Sequence, residues 1–185
     1  MSKRFSFIET PLAGLYKVER KILEDQRGFF TRFYCGDEFE EIGFNKSVVQ
    51  MNQTLTRSRG AIRGLHFQRP PHSEIKLVTC LRGEILDVAV DIRKGSPTFL
   101  KWHAEHLSAK NHASFLIPEG FAHGFQTLTE DCELLYIHSS FYAPKAEGAL
   151  NALDPALAIN WPLDITEISE RDKNHSLLST TKFEG

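Results

Sequence analysis

Residues 84–93, EILDVAVDIR, alternate in character with a period of two. Leu86, Val88, Val90 and Ile92 face one way while Asp87, Asp91 and Arg93 face the other, the pattern of an extended strand. A second apolar run, KLVTCL (76–81), precedes it, and Arg82-Gly83 between them predicts a tight turn. ASFLIP (113–118) and CELLYIHSSFY (132–142) read as further strands, each followed by a Pro or Gly stop. Helix is scarce: GDEFEEIGF (36–44) offers one short amphipathic piece, and PLDITEISERD (162–172) a helical turn. Many short strands separated by turn signals predict an all-β sandwich or barrel.

Composition narrows the class further. At 185 residues, with no internal repeat or low-complexity linker, the chain is read as one domain spanning 1–185. Its 22 Lys and Arg are scattered among 24 Asp and Glu, so no basic stripe suggests nucleic acid. No apolar run approaches the roughly 20 residues that span a bilayer, and the N-terminus lacks the apolar core of a signal peptide. Cys35, Cys80 and Cys132 are odd in number and form no CxxC pair, which fits a reducing compartment. The expectation is a cytoplasmic protein with no membrane partner.

The stretch IRGLHFQRPPHSEIK (62–76) carries His66, which can be core, ligand or base. A metal site in a β-barrel gathers several His and a carboxylate on alternate strand positions. Here the position two after His66 is Gln68, and no HxH or HxxxH is near. IPEGFAHGF (117–125) places His123 behind a Pro-Glu-Gly turn, like the second half of a cupin metal motif whose first half is missing. No metal is therefore predicted. Spacing alone leaves His66 open between a buried, hydrogen-bonded histidine and a catalytic one. It leaves His123 open as a turn residue, Phe29-Phe30 and Phe121-Phe125 as core rings, and Tyr136 as an ordinary strand tyrosine.

Taken together, DQRGFF (25–30), IRGLHFQ (62–68), GEILDVAVDIRKGSPTF (83–99), LSAKN (107–111), IPEGFAHGF (117–125), LDPALAINWP (153–162) and ISERD (168–172) resemble the dTDP-4-dehydrorhamnose 3,5-epimerases. The resemblance runs in order along nearly the whole chain. It implies a cupin-type jelly roll with a few short peripheral helices, a homodimer, and an enzyme without metal or cofactor. It also implies the reaction: inversion at C3, C5 or both of a nucleotide-diphospho-4-keto-6-deoxyhexose, in deoxysugar and O-antigen-type polysaccharide synthesis. Hydrogens α to a ketone are removed by a base, the enolate oxygen is held by a cation, and an acid returns a proton from the opposite face.

By that resemblance His66 is the base and Asp172 its carboxylate partner, Lys76 stabilises the oxyanion, and Tyr136 is the acid. Arg27 and Arg63 match phosphate-binding arginines, whose guanidinium forks suit diphosphate oxygens. His123 lies where the family contacts sugar or phosphate, and Gln50, Asn52, Glu147 and Arg171 align with further ligand contacts. One subunit's N-terminal strand helps form its partner's site, which would bring Phe29 or Phe30 onto the base.

Departures from the family pattern cluster around recognition: Met51 and Gln53 replace an acid and a histidine, and Ile137 and Phe141 stand near the tyrosine. Altered surroundings of Tyr136 keep a C3-only enzyme in play. Arg32 stands where a glutamate is common. If it faces the base, its donors suit the N3 and O2 acceptors of cytosine, hinting at a CDP-linked sugar; otherwise it points to solvent or pairs with a nearby acid. A metal-dependent cupin enzyme and a non-catalytic sugar-binding cupin are the remoter alternatives.

Overall fold

A computed structural model describes residues 3–179 and 183. Eight strands form the body: β5 (Gln50–Thr56), β6 (Ala61–Gln68), β7 (Lys76–Arg82), β8 (Glu84–Asp91), β9 (Trp102–Ser108), β10 (Ala113–Ile117), β11 (Phe121–Thr127) and β12 (Cys132–His138). They divide into two facing antiparallel sets, in the orders β10-β7-β12-β5 and β6-β11-β8-β9. Almost every consecutive pair changes sheet, which is the jelly-roll winding. Before them, β1 (Phe5–Glu9) and β2 (Tyr16–Arg20) extend the first sheet beyond β10. β3 (Leu23–Asp25) and β4 (Gly28–Phe30) form a separate exposed hairpin, followed by α1 (Gly36–Glu40). After them, β13 (Glu147–Ala149) and β14 (Glu167–Ile168) pair with β6, and α2 (Glu170–Lys173) closes the described elements.

The expected strands and both short helices are present, and the chain turns at Arg82-Gly83 as expected, passing from one sheet to the other. β7 and β8 lie in different sheets. Gly83 has φ of +77°, and a Cβ there would lie 2.8 Å from Cys132 Sγ, so the chain crosses between sheets around that cysteine.

β8 is buried on both faces. Ile85 and Ala89 join Val78, Phe115, Phe125 and Leu134 between the sheets, while Val88, Val90 and Ile92 pack outward against Ile62, Leu65, Leu150 and Leu157. Asp87 and Asp91 are fully buried on the first of these faces. Asp91 is satisfied by Arg93, Ser96 and Thr98 just beyond the strand, as burial of a charge requires. The outer face of the first sheet is covered by Phe39 of α1 with Phe44, packed on Leu77, Leu116 and Ile137.

Candidate active site

Along β7 and β12 the inward side chains change from apolar to polar. Cys80 and Val78 give way to Lys76, and Leu134 gives way to Tyr136 and His138. With Asn52 on β5 they form one wall of a cleft of about 820 Å3. The other wall is the second sheet, with Arg63 and His66 from β6 and His123 from β11, and Asp172 and Arg171 of α2 at its edge.

Arg63 and His66 are three residues apart and would point to opposite faces of a regular strand. A bulge puts them on the same face: His66 pairs with His123 and Arg63 with Phe125, so Gly64 and Leu65 of β6 oppose the single residue Gly124 of β11. Gly64 makes the bulge possible. Its φ is +124°, and a Cβ there would lie 2.5 Å from the Gly124 Cα and 2.7 Å from the His123 carbonyl oxygen. Only glycine fits that approach.

Asp172 reaches His66 through α2. Ser169 caps this helix by accepting from the Asp172 amide at 3.0 Å, and β14 holds the preceding residues in parallel register on Ala61 and Ile62. Asp172 Oδ1 lies 2.7 Å from His66 Nε2, and its Oδ2 accepts the Gly64 amide at 3.3 Å. Burial would raise this carboxyl, but the His66 ring, the Gly64 amide and Ser169 outweigh it and hold it at about 2. A carboxylate there requires the proton on Nε2 and leaves Nδ1 as the basic nitrogen. Arg171 Nη2 also lies 3.1 Å from Nε2. Both are donors in that tautomer, so we assign the guanidinium to Glu147, which it grips with two contacts of 3.1 Å.

Tyr136 is half-buried, and its phenol is pushed well above the ordinary value by burial and by the Asp87 carboxylate. It therefore stays protonated at neutral pH, as a proton donor must. His123 is buried, its Nε2 2.6 Å from Asp87 Oδ1; it is a strand residue of β11, not a turn residue.

The structure thus brings His66, Asp172, Lys76, Tyr136, Asn52, Arg63, His123 and Arg171 into one cleft. Glu147 backs Arg171 and accepts from the Tyr142 hydroxyl at 3.0 Å, and Gln50 accepts the Tyr142 amide at 3.1 Å. Arg27, Phe29, Phe30 and Arg32 are not part of the cleft lining. Arg27 pairs with Asp25 on the β3–β4 hairpin, and Phe29 and Phe30 are exposed there. Arg32 pairs with Glu38 at 3.7 Å, the nearby-acid alternative. Ile137 packs with Phe39 of α1 on the outer side of the first sheet, on the face opposite the Tyr136 side chain.

Sequence reasoning missed Asp87, Glu74 and His138. The first had a signal: it shares its strand face with Ile85 and Ala89, which are buried. Among the described residues, His66, Asp172 and His175 offer ligand atoms within 4.8 Å of one another. His66 Nε2 and both Asp172 oxygens are already hydrogen-bonded, and a metal would displace the contact that orients the ring.

Residues 9–180 match the family model for dTDP-4-dehydrorhamnose 3,5-epimerase. The chain belongs to that family. A relative from Salmonella typhimurium, a dTDP-4-dehydrorhamnose 3,5-epimerase, is 44% identical over 92% of this chain and 94% of its own. A dTDP-4-dehydro-6-deoxyglucose 3-epimerase from a Streptomyces species is 38% identical over 92% of this chain and 88% of its own. A crystal structure of the Legionella pneumophila dTDP-6-deoxy-D-glucose-3,5-epimerase, in complex with dTDP-4-keto-L-rhamnose, superposes with a TM-score of 0.90 at 41% identity, covering 95% of this chain and 93% of that one. The family is one of nucleotide-sugar epimerases, and the jelly roll is the cupin-type fold of its solved members.

Proposed function

We propose that the chain, acting as a single domain, epimerises a dTDP-linked 4-keto-6-deoxyhexose at C3, C5 or both. The observation that carries this reading is the placement of a His–Asp pair on one wall of the cleft and a protonated tyrosine with a lysine on the other. His66 Nδ1 removes the proton α to the C4 ketone, and Asp172 stabilises the imidazolium that forms. The C–H electron pair becomes the enolate, whose oxygen is held by the Lys76 ammonium. Tyr136 returns a proton to the same carbon from the opposite face, which inverts it, and recovers its own from solvent. His66 releases the abstracted proton to solvent, so protons balance and nothing is oxidised or reduced. Arg63 and Arg171 supply cations for the diphosphate.

The assembly proposed is a homodimer. In it the β3–β4 hairpin, carrying Arg27, Phe29 and Phe30, is the element offered to a partner's cleft. Two exposed phenylalanines, each 60% accessible, support it. The three cysteines are free thiols, in keeping with the cytoplasmic location we propose. Among the described residues, no helix is long and apolar enough to cross a membrane.

Incubating the protein in deuterium oxide with dTDP-4-dehydro-6-deoxyglucose tests the activity. Deuterium is expected at C3, C5 or both, in inverted product; a protein that binds the sugar but incorporates none is not an epimerase. Label at C3 alone identifies a C3-only enzyme, the second reading, which is the activity in the name of the 38% identical relative.

A further inference from the structure

The cleft wall formed by the first sheet holds a chain of polar contacts that the reaction above does not use. Lys76 Nζ lies 3.0 Å from Glu74 Oε1. The second oxygen of Glu74 lies 2.8 Å from His138 Nδ1, and His138 Nε2 lies 3.3 Å from Asn52 Nδ2. Strand register creates the group: His138 stands opposite Lys76 on one side and Gln50 on the other, with Glu74 two residues ahead of Lys76. The side chains of Lys76, Glu74 and His138 are only 11%, 10% and 10% exposed, so each contact is made largely out of water.

One arrangement of protons satisfies every member. The Glu74 carboxylate only accepts, so Lys76 and His138 Nδ1 both donate to it; Nε2 is then the acceptor for the Asn52 amide. His138 thereby carries a proton on Nδ1. Without its donor, one oxygen of Glu74 would be buried and unpaired, which is costly. The carboxylate would relieve that by turning both oxygens onto the ammonium, drawing Lys76 away from the cleft.

We propose that His138 is a positioning residue for Lys76: by holding the far oxygen of Glu74, it fixes that carboxylate behind the lysine. One ammonium N–H then stays on Glu74 and two are left for the developing C4 oxyanion. The inference rests on Lys76 being the oxyanion group of the proposed reaction. It adds to that reading a residue that touches no reacting atom but sets the reach of one that does.

A double-mutant cycle on the full chain tests it, read as the rate of deuterium incorporation from solvent into dTDP-4-dehydro-6-deoxyglucose. His138→Leu keeps the bulk and removes the donor, and its kcat is expected to fall roughly ten- to hundredfold with KM little changed. His138→Gln keeps an N–H for Glu74 and is expected to recover most of the loss. In a Lys76→Met background, His138→Leu should add less than about twofold, because the group it positions is gone. The cycle also separates an effect through Tyr136, whose ring stacks on His138 at 6.0 Å, since that loss would persist in the Lys76→Met protein. An equal loss in both backgrounds, a Gln variant no better than Leu, or a Leu variant with wild-type kcat overturns the proposal. Nitrogen-15 spectra of the His138 ring in the unmutated protein give a readout independent of activity and of variant folding: the Nδ1–H tautomer supports the proposal, and Nε2–H overturns it. Failure of the underlying reading looks different, as a wild-type protein that incorporates no deuterium or a Lys76→Met protein with an unaltered rate.

Discussion

Asp172 divides its two oxygens between His66 Nε2, at 2.7 Å, and the amide of Gly64, at 3.3 Å. The same carboxylate therefore fixes the ring it polarises and the bulge from which that ring projects. Chemistry and local backbone geometry share one anchor, which gives substitutions at these positions distinguishable effects.

Asp172→Asn should leave the fold in place, because the Ser169 cap uses the backbone amide of residue 172. An amide facing His66 no longer demands a proton on Nε2, so the tautomer with basic Nδ1 loses its stabilisation. The expected fall in kcat is on the order of a thousandfold or more, measured beside an unchanged circular dichroism spectrum. A loss below tenfold would show that Asp172 does not set the tautomer.

The same carboxyl makes stability depend on acid. Its folded value of about 2 lies below the ordinary 3.8, so its contribution is fully present above pH 4 and is lost as pH falls through 2. That contribution is roughly 2 kcal/mol. Urea unfolding of the wild type and the Asn variant should show a stability gap that is level from pH 6 to about 4 and closes as pH falls through 2.

Tyr136→Phe removes the donor on one face and leaves the base on the other. Deuterium should still exchange into the substrate, because His66 can return solvent-derived protons to the face it attacks, while inverted product falls at least a hundredfold. Inversion at the wild-type rate would assign the acid to another group.

Gly64→Ala places a methyl against the backbone of Gly124 and His123 at a φ of +124°. Neither can move without opening the β6–β11 ladder. The expected destabilisation is about 3 kcal/mol or more, seen as a lower urea midpoint, with activity reduced because His66 and Arg63 lose their shared face.

Arg32 pairs with Glu38, and the chain belongs to a family of dTDP-sugar epimerases, so dTDP should bind at least as tightly as CDP. Calorimetry with the two nucleotides decides this. A CDP advantage of tenfold or more, abolished by Arg32→Ala, would restore the cytosine reading.

The β class, the four strands β7, β8, β10 and β12, and both short helices were legible because alternation and turn residues act locally, within a few positions of chain. The same locality sets the limit at Arg82-Gly83: a turn signal says that the chain bends, whereas the pairing of β7 and β8 with different neighbours decides that it bends into the other sheet. Resemblance in motif named His66, Asp172, Lys76 and Tyr136, yet no spacing rule brings Asp172 across 106 positions to His66. Only the parallel seating of β14 on β6 does so. The Glu74–His138–Lys76 contacts were invisible for the same reason, since they arise from the register of β12 on β7. Side-chain alternation is set by backbone geometry that each residue carries with it; which strand lies beside which is set by burying both faces of two sheets at once, and that is a property of the whole fold.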